Sequence, residues 1–495
     1  MSTLVQSINS LLGHGLSVVI KLRYGVIALL VIGLGAAFAY LITDAESGGL
    51  VVSVVAIIIL LAIIVNRPLN GLLVWLFFMV FIESWVEIPM GAGIPDMSFS
   101  RFAIGFLAIF MLAQAAISKF RFVRPGWVEL FMMLTVVGLA MAAPMSIGPA
   151  PNGVVQWTIA MYFTPMVAYF FAKNLVQDRQ DLHQILWIIA LLGFVSGLYA
   201  AYEHATGHVL FLPKDKAVGR LFRGESGIRL IQGLMGGTGE MGRALATTIP
   251  VTFYLFIERK QMDLIKIALS TMLLIQAYGI LITMSRTPWL ALLIALFIMQ
   301  FFYPQFRKVF AIIVLMAVLV IGATWEQVER STVAARVGDD NSTLEGRQGR
   351  WAAAQNMWRR KPIRGWGYGH YEDKSGEYRT DGSRENMDAI ESDYWYVLVG
   401  GGLLGLFPYL AYIGAILYYS ARLFFRARAP DWSGFIKVET LTVVWAVIIC
   451  LLLTSYTAKQ VQPVIRLMTF AVSGAIIGSH EHLLRQNTKD NSPRQ

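Results

Sequence analysis

Apolar runs follow one another along this chain with short polar breaks up to residue 324, and they resume after one long polar interval. A bilayer core of about 30 Å is crossed by about 20 mostly apolar helical residues. That length predicts transmembrane helices near 24–42, 50–65, 70–86, 102–117, 127–146, 154–172, 184–202, 240–257, 267–285, 288–303, 309–324, 394–420, 439–456 and 463–479. The expected total is about 14, in the range 12–14. The organisation that follows is 1–235, N-terminal transmembrane helices with a basic outer loop at 203–240; 236–324, central helices; 325–393, a large polar loop; 394–480, C-terminal helices; and 481–495, a tail.

Composition agrees with this pattern. Of 495 residues 56% are hydrophobic and 15% charged, with a mean hydropathy of +0.59, so an all-α polytopic membrane protein is expected. The net charge of +10 points to no nucleic acid here, because basic residues in a membrane protein first serve to orient its loops. Cys450 is the one cysteine and lies within an apolar run, which excludes an intrachain disulfide and thiolate metal chemistry. The first apolar run follows Lys21 and Arg23, is too long for a signal core and lacks a small-residue cleavage site, so it is expected to stay as an anchor.

Loop charge gives the orientation. Lys21 and Arg23, Arg67, Lys119 to Arg124, Lys173 and Arg179, Arg259 to Lys266, Arg307 and Lys308, and Arg422 to Lys437 all fall on one side. Asp44, Glu46, Glu83, Glu87 and Asp96 fall on the other. The positive-inside rule then puts both termini in the cytoplasm and the 325–393 loop outside. Two outer segments break the pattern: 203–240 carries Lys214, Lys216, Arg220, Arg223 and Arg229, and the 325–393 loop carries more cations still. Long loops cross regardless of charge, so the topology stands, and an anionic ligand on the outer face is the direct cause of such an accumulation. The bland alternative, surface ion pairs with Glu225, Glu240, Asp339, Asp340, Glu345 and Glu372, suits any single Arg better than it suits the cluster.

Within the large loop, NSTLEGRQGRWAAAQNMWRRKP reads as an amphipathic helix with Trp351, Ala354 and Trp358 on one face and Arg347 and Arg350 on the other, ended by Pro362. It would lie either at headgroup level or against its own neighbours. Arg360 and Arg364 follow, then glycines 365, 367 and 369, then His370, a lone loop histidine ranked below the other candidates.

Arg286 is the sharpest single residue. It sits where two apolar segments meet almost without a loop, so its guanidinium is expected at the outer membrane boundary, where a charge is either functional or snorkelling. GGTGEMGR, at 236–243, opens a membrane helix with glycines and Arg243. Free backbone N–H groups there favour phosphate, though no Walker lysine is present and close helix packing explains the glycines equally well. Glu391 and Asp393 stand just before WYVLVGGGLLGLF. Helix capping by Ser392 or Asp393 explains Asp393 well and Glu391 less well, leaving Glu391 as a candidate proton acceptor. Asp339 and Asp340 lack further carboxylates, and no metal site is expected.

Three motifs taken together, TMSRTPWLALLIAL, RWAAAQNMWRRKPIRGWGYGHY and ESDYWYVLVGGGLLGL, resemble the O-antigen ligase and polysaccharide polymerase family of bacterial inner-membrane glycosyltransferases. The resemblance covers about 230–410; earlier residues match only as a set of membrane helices. It implies a GT-C-like enzyme with a large helical periplasmic loop, acting on undecaprenyl-diphosphate-linked glycan in the membrane without metal, nucleotide sugar or other cofactor. It implies a catalytic Arg at Arg286 and further diphosphate-binding arginines, for which Arg243, Arg220, Arg223, Arg229, Arg347, Arg350, Arg360 and Arg364 are the candidates. A His-Asn pair typical of the family before the final Gly-Leu-Leu-Gly is replaced by Glu391 and Ser392, which speaks for the polymerase side. The reading is a periplasmic polymerase of exopolysaccharide or O-antigen repeat units, with flippase and chain-length or export proteins as partners. A ligase passing a finished glycan to another acceptor stands beside it. An anion or lipid-linked-sugar transporter is disfavoured because the charges crowd one face and helix midpoints are nearly bare. A sensor would require a cytoplasmic output domain, and no segment is long enough.

Overall fold

The computed structural model describes residues 63–490 except 65–66, 84–86, 89–95, 118–119, 147–155, 210–221, 224–227, 230, 305, 309, 312–340, 381–384, 388–389, 430–431, 433 and 458–461. The expected helix at 24–42, nearly all of 50–65 and of 309–324, Asp339, Asp340, Arg220 and the last five residues lie outside the described residues. Every expected helix from 70 to 303, and every one after 393, falls on an observed helix.

In chain order these are α1 (Pro68–Ile82), α2 (Phe99–Ala116), α3 (Trp127–Ala142), α4 (Thr164–Leu175), α5 (Arg179–Thr206), α6 (Thr238–Glu258), α7 (Leu264–Ile282) and α8 (Arg286–Phe302). The polar loop contributes α9 (Asn341–Arg360) and the single turn α10 (His370–Lys374), followed by α11 (Asp393–Arg426), α12 (Val438–Thr457) and α13 (Val464–Asp490). Two antiparallel ladders of two-residue strands sit in connections, Glu87–Ile88 with Met97–Ser98 and Phe222–Arg223 with Ile228–Arg229. Among the described residues six helices are long and apolar enough to cross a membrane, and α1 and α8 are shorter apolar helices. The chain is therefore a multi-pass, all-helical membrane protein.

Local chemistry sets the helix ends. Ser98, Asp178 and Asp263 each accept from a backbone N–H in the first turn of the following helix, and α5 stops at Gly207 in the left-handed conformation. Small residues set the packing: a Cβ on Gly474 or Gly478 of α13 would fall within 2.2 Å of the Tyr169 or Lys173 carbonyl of α4, so these backbones touch. Lys173, expected in an inner loop, instead ends α4 with 2% of its side chain exposed, bonded to Glu129 at 2.5 Å and to the Arg124 carbonyl. Burial of the ammonium without that carboxylate would be costly. At the same end of the bundle Glu258 joins Arg179 and Lys437.

The expected helix at 394–420 is two pieces. Gly402 has φ 62° and ψ −159°, a conformation that breaks α11 after Gly401. The segment from Leu403 to Arg426 alone is about 36 Å long at 1.5 Å per residue, enough to cross the bilayer. The break exposes helix-end donors and acceptors, and the loop 362–367 satisfies them. Trp366 N–H donates to the Val399 carbonyl (2.8 Å) and Gly367 N–H to Gly400 (2.9 Å). In return Leu403 N–H donates to Pro362 (2.9 Å) and Leu404 N–H to Ile363 (3.1 Å). Backbone polar groups at a membrane boundary need such partners.

The interlock leaves no room for side chains. A Cβ on Gly402 would lie 2.3 Å from the Ile363 carbonyl oxygen, whereas Gly414, in the same helix, has nothing within 4 Å. Gly402→Ala is therefore expected to cost at least about 1–3 kcal/mol from backbone strain alone. Gly414→Ala is expected to be neutral or mildly stabilising. Thermal unfolding of the two variants in detergent compares them directly, and equal melting temperatures would contradict the interlock.

Candidate functional site

The polar loop is a folded cap on one end of the bundle. Trp351 of α9 stacks near Tyr456 of α12 with ring centroids 5.1 Å apart, Ala354 is buried, and Trp358 Nε1–H donates to the Pro362 carbonyl. The tryptophan face of α9 thus packs on its own neighbours. Behind it, the Tyr371 hydroxyl donates to the Arg350 carbonyl (3.0 Å), Met387 N–H to Ser375 Oγ, and Gly376 N–H to Asn386 Oδ1. Burial pushes the Tyr371 phenol above its ordinary range, which suits a hydrogen-bond donor and not a base.

Glu391 is the centre of this cap. Its Oε2 accepts from Arg347 Nε at 2.6 Å and its Oε1 from Arg350 Nη1 at 2.5 Å. All three side chains are about one-third exposed, so the group is anchored yet open to a ligand. Charge-assisted bonds from two guanidiniums fix their orientation. The structure therefore brings together a candidate proton acceptor and two of the candidate diphosphate-binding arginines. Arg360 and Arg364 are exposed at the end of α9 and in the loop that locks the broken helix.

His370 is held differently. Its Nε2 lies 2.8 Å from the Met145 carbonyl, an acceptor only, so Nε2 carries the proton. Tyr368 N–H donates to Ser146 Oγ, and Gly367 packs on the Met145 carbonyl. His370 thus fastens the glycine-rich loop to the turn that ends α3.

The second arginine group lies on α6 and α8. Arg286 is the first residue of α8, partly exposed, after a turn in which Met284 has φ 51°, a left-handed conformation unusual outside glycine. The start of α6 packs on that turn: a Cβ on Gly242 would lie 2.9 Å from Pro288 Cγ and 3.1 Å from Thr283 Oγ1. Arg243, one residue on, is 5% exposed and reaches Glu240 at 3.3 Å and the Gly239 carbonyl at 3.2 Å. Nearby, the Glu203 carboxylate accepts from Gln232 and Gly233 N–H and ties the preceding segment to α5. Arg223 and Arg229 occupy a two-residue ladder whose side chains lie outside the described residues.

Both groups share one end of the bundle. Cys450 of α12 sits against the carbonyls of Ala246 and Ala291, and six residues further on, about 9 Å along the helix, Tyr456 meets Trp351. The starts of α6, α8 and α9's partner α11 therefore gather around the end of α12.

One buried charge was not singled out in the sequence. Arg466 of α13 is fully buried, its Nη2 2.7 Å from Asp393 Oδ2 and its Nη1 3.0 Å from the Met161 carbonyl. Its guanidinium also lies 4.4 Å from the ring centre of Tyr162. The signal was present: an arginine inside the apolar run 463–479 is a functional candidate by position alone. Asp393, read as a possible cap, spends its carboxylate on this pair, and Ser392 makes no side-chain cap bond.

These features define a polytopic helical membrane protein with an arginine-rich cap built on a broken helix. Residues 271–410 match the family model described as O-antigen ligase, a span running from α7 through Arg286, the cap and the Gly402 break. Through this region the chain is similar to the O-antigen ligase family. Arg243 and Arg466 lie outside the matched span. No curated protein matches the chain.

His370→Ala is expected to lower the melting temperature, consistent with loss of about 1 kcal/mol from one hydrogen bond, while leaving turnover per folded molecule within about threefold of wild type. A turnover loss of about 100-fold with unchanged melting would instead make His370 part of the chemistry.

Proposed function

We propose that the protein polymerises undecaprenyl-diphosphate-linked oligosaccharide repeat units at the periplasmic face, by metal-independent inverting glycosyl transfer. The family match supports an enzyme of the ligase or polymerase type acting on a lipid-linked glycan in the membrane. The observation that carries the finer reading is that Arg347 and Arg350 converge on the Glu391 carboxylate at the end of the bundle where α6 and α8, with Arg243 and Arg286, begin. The orientation rule places that end outside.

In this reading a sugar hydroxyl of the acceptor attacks the anomeric carbon of the donor. The bond from that carbon to the diphosphate oxygen breaks, and undecaprenyl diphosphate leaves with the electron pair. Negative charge grows on the leaving oxygen, and Arg286 at the boundary stabilises it, with Arg243 beside it and the exposed Arg360 and Arg364 as further anion contacts. Guanidinium groups supply this stabilisation without a metal. Glu391 aligns the acceptor hydroxyl and takes its proton, using lone pairs left over from its bonds to Arg347 and Arg350. His370 serves as an anchor of the loop. Attack from the face opposite the diphosphate inverts the anomeric centre. Replacement of the family's His-Asn pair by Glu391 and Ser392 favours polymerisation over ligation of a finished glycan.

The test is purified protein with a lipid-diphosphate-linked oligosaccharide in EDTA, reading polymer length, released carrier and the NMR of the new linkage. Wild type is expected to make polymer of inverted configuration. Arg286→Ala is expected to lose about 100-fold or more in turnover, the scale of removing one donor to a developing oxyanion. Glu391→Gln is expected to lose about 100-fold as well, the scale of general-base catalysis. Retained configuration, or a substrate that only changes leaflet in liposomes, would overturn the reading.

A further inference from the structure

We infer that Asp393 and Arg466 form a positioning pair, which pins the start of α11 to the membrane bundle and thereby sets where Glu391 holds Arg347 and Arg350. The inference rests on the glycosyl-transfer reading above. Three observations carry it. First, Asp393 is two residues from Glu391, joined through extended Ser392, so a displacement of one reaches the other. Second, Arg466 uses its fork on two different elements at once, Nη2 on Asp393 (2.7 Å) and Nη1 on the Met161 carbonyl (3.0 Å). Third, Met161 lies in a single π-helical turn, Ile159–Phe163, directly before α4. The wider turn is the kind of local irregularity that recurs at functional sites.

The pair is built as a rigid part. Both side chains are fully buried, and the guanidinium lies against Tyr162. The Tyr394 hydroxyl, one residue past Asp393, donates to the Leu452 carbonyl of α12 at 2.9 Å. A charge pair taken out of water in a membrane bundle contributes little net stability, and a charged group inside a membrane bundle is a functional candidate by position. The role the geometry offers is transmission of a fixed position to the carboxylate that holds Arg347 and Arg350.

The test uses full-length protein and variants that keep the buried charges paired, Arg466→Lys and Asp393→Glu, with the neutral double variant Asp393→Asn/Arg466→Gln. Lysine offers one shorter-reaching nitrogen where arginine uses two on Asp393 and Met161, and glutamate lengthens the link. Each is expected to fold with a melting temperature near wild type and an unchanged KM, while kcat falls about 10- to 100-fold, the scale of a misplacement of about 1 Å. A second readout needs no substrate: in a Cys450→Ser background, the thiol of Glu391→Cys is expected to react several-fold faster with a methanethiosulfonate reagent once Arg466 is Lys. Unchanged labelling together with wild-type kcat would overturn the inference. So would failure of both charge-keeping variants to fold, which would make the pair a folding requirement alone. Absence of transfer by wild type would instead overturn the functional reading and leave labelling to decide this one.

Discussion

The cap exists because a membrane helix is broken and a loop repairs it. Interrupting α11 at Gly402 frees carbonyls at 399 and 400 and N–H groups at 403 and 404, and the 362–367 loop meets all four through its own backbone. Main-chain bonds of this kind fix the loop whatever its side chains, so Arg360, Lys361 and Arg364 can stay exposed. Lys361 lies over the Trp366 ring at 4.0 Å, a contact that keeps a cation at this point without an acidic partner. The same lock aligns α9 along the start of α11, and Glu391 then falls between Arg347 and Arg350. Removing the break would therefore remove the site.

Two ways of holding arginine follow from that arrangement. At the cap, Arg347 and Arg350 share one carboxylate and remain about one-third open, so their charge is oriented but available. In the bundle, Arg243 and Arg466 are nearly or fully buried with acidic partners. Exposed pairs of the first kind add little to stability, typically below about 1 kcal/mol. Folding gains little from these cations, and in the proposed function a lipid-linked diphosphate supplies the opposite charge.

Much of this was legible from residue order. The helices between 70 and 303 and after 393 follow from apolar length, and the match over 271–410 coincides with the motifs that suggested the family. The meeting of Arg347, Arg350 and Glu391 was not legible, because 44 residues separate Arg347 from Glu391 and no periodicity spans a loop. The GGG of α11 read as a helix interior, since three glycines in an apolar run carry no sign of which one takes a positive φ. Lys173 and Arg466 show the opposite case. Each is a lone charge in or beside an apolar run, and a stricter reading of intramembrane charge would have marked both as buried and paired.

In the proposed function the arginine-rich end of the bundle binds the diphosphate of a lipid-linked glycan. A structure of the protein in lipid nanodiscs with an undecaprenyl-diphosphate-linked oligosaccharide tests it most directly. The diphosphate is expected within hydrogen-bond reach of Arg286 and at least one cap arginine, with the first sugar beside Glu391. A diphosphate bound at the opposite end, beside Lys437 and Arg179, would contradict it.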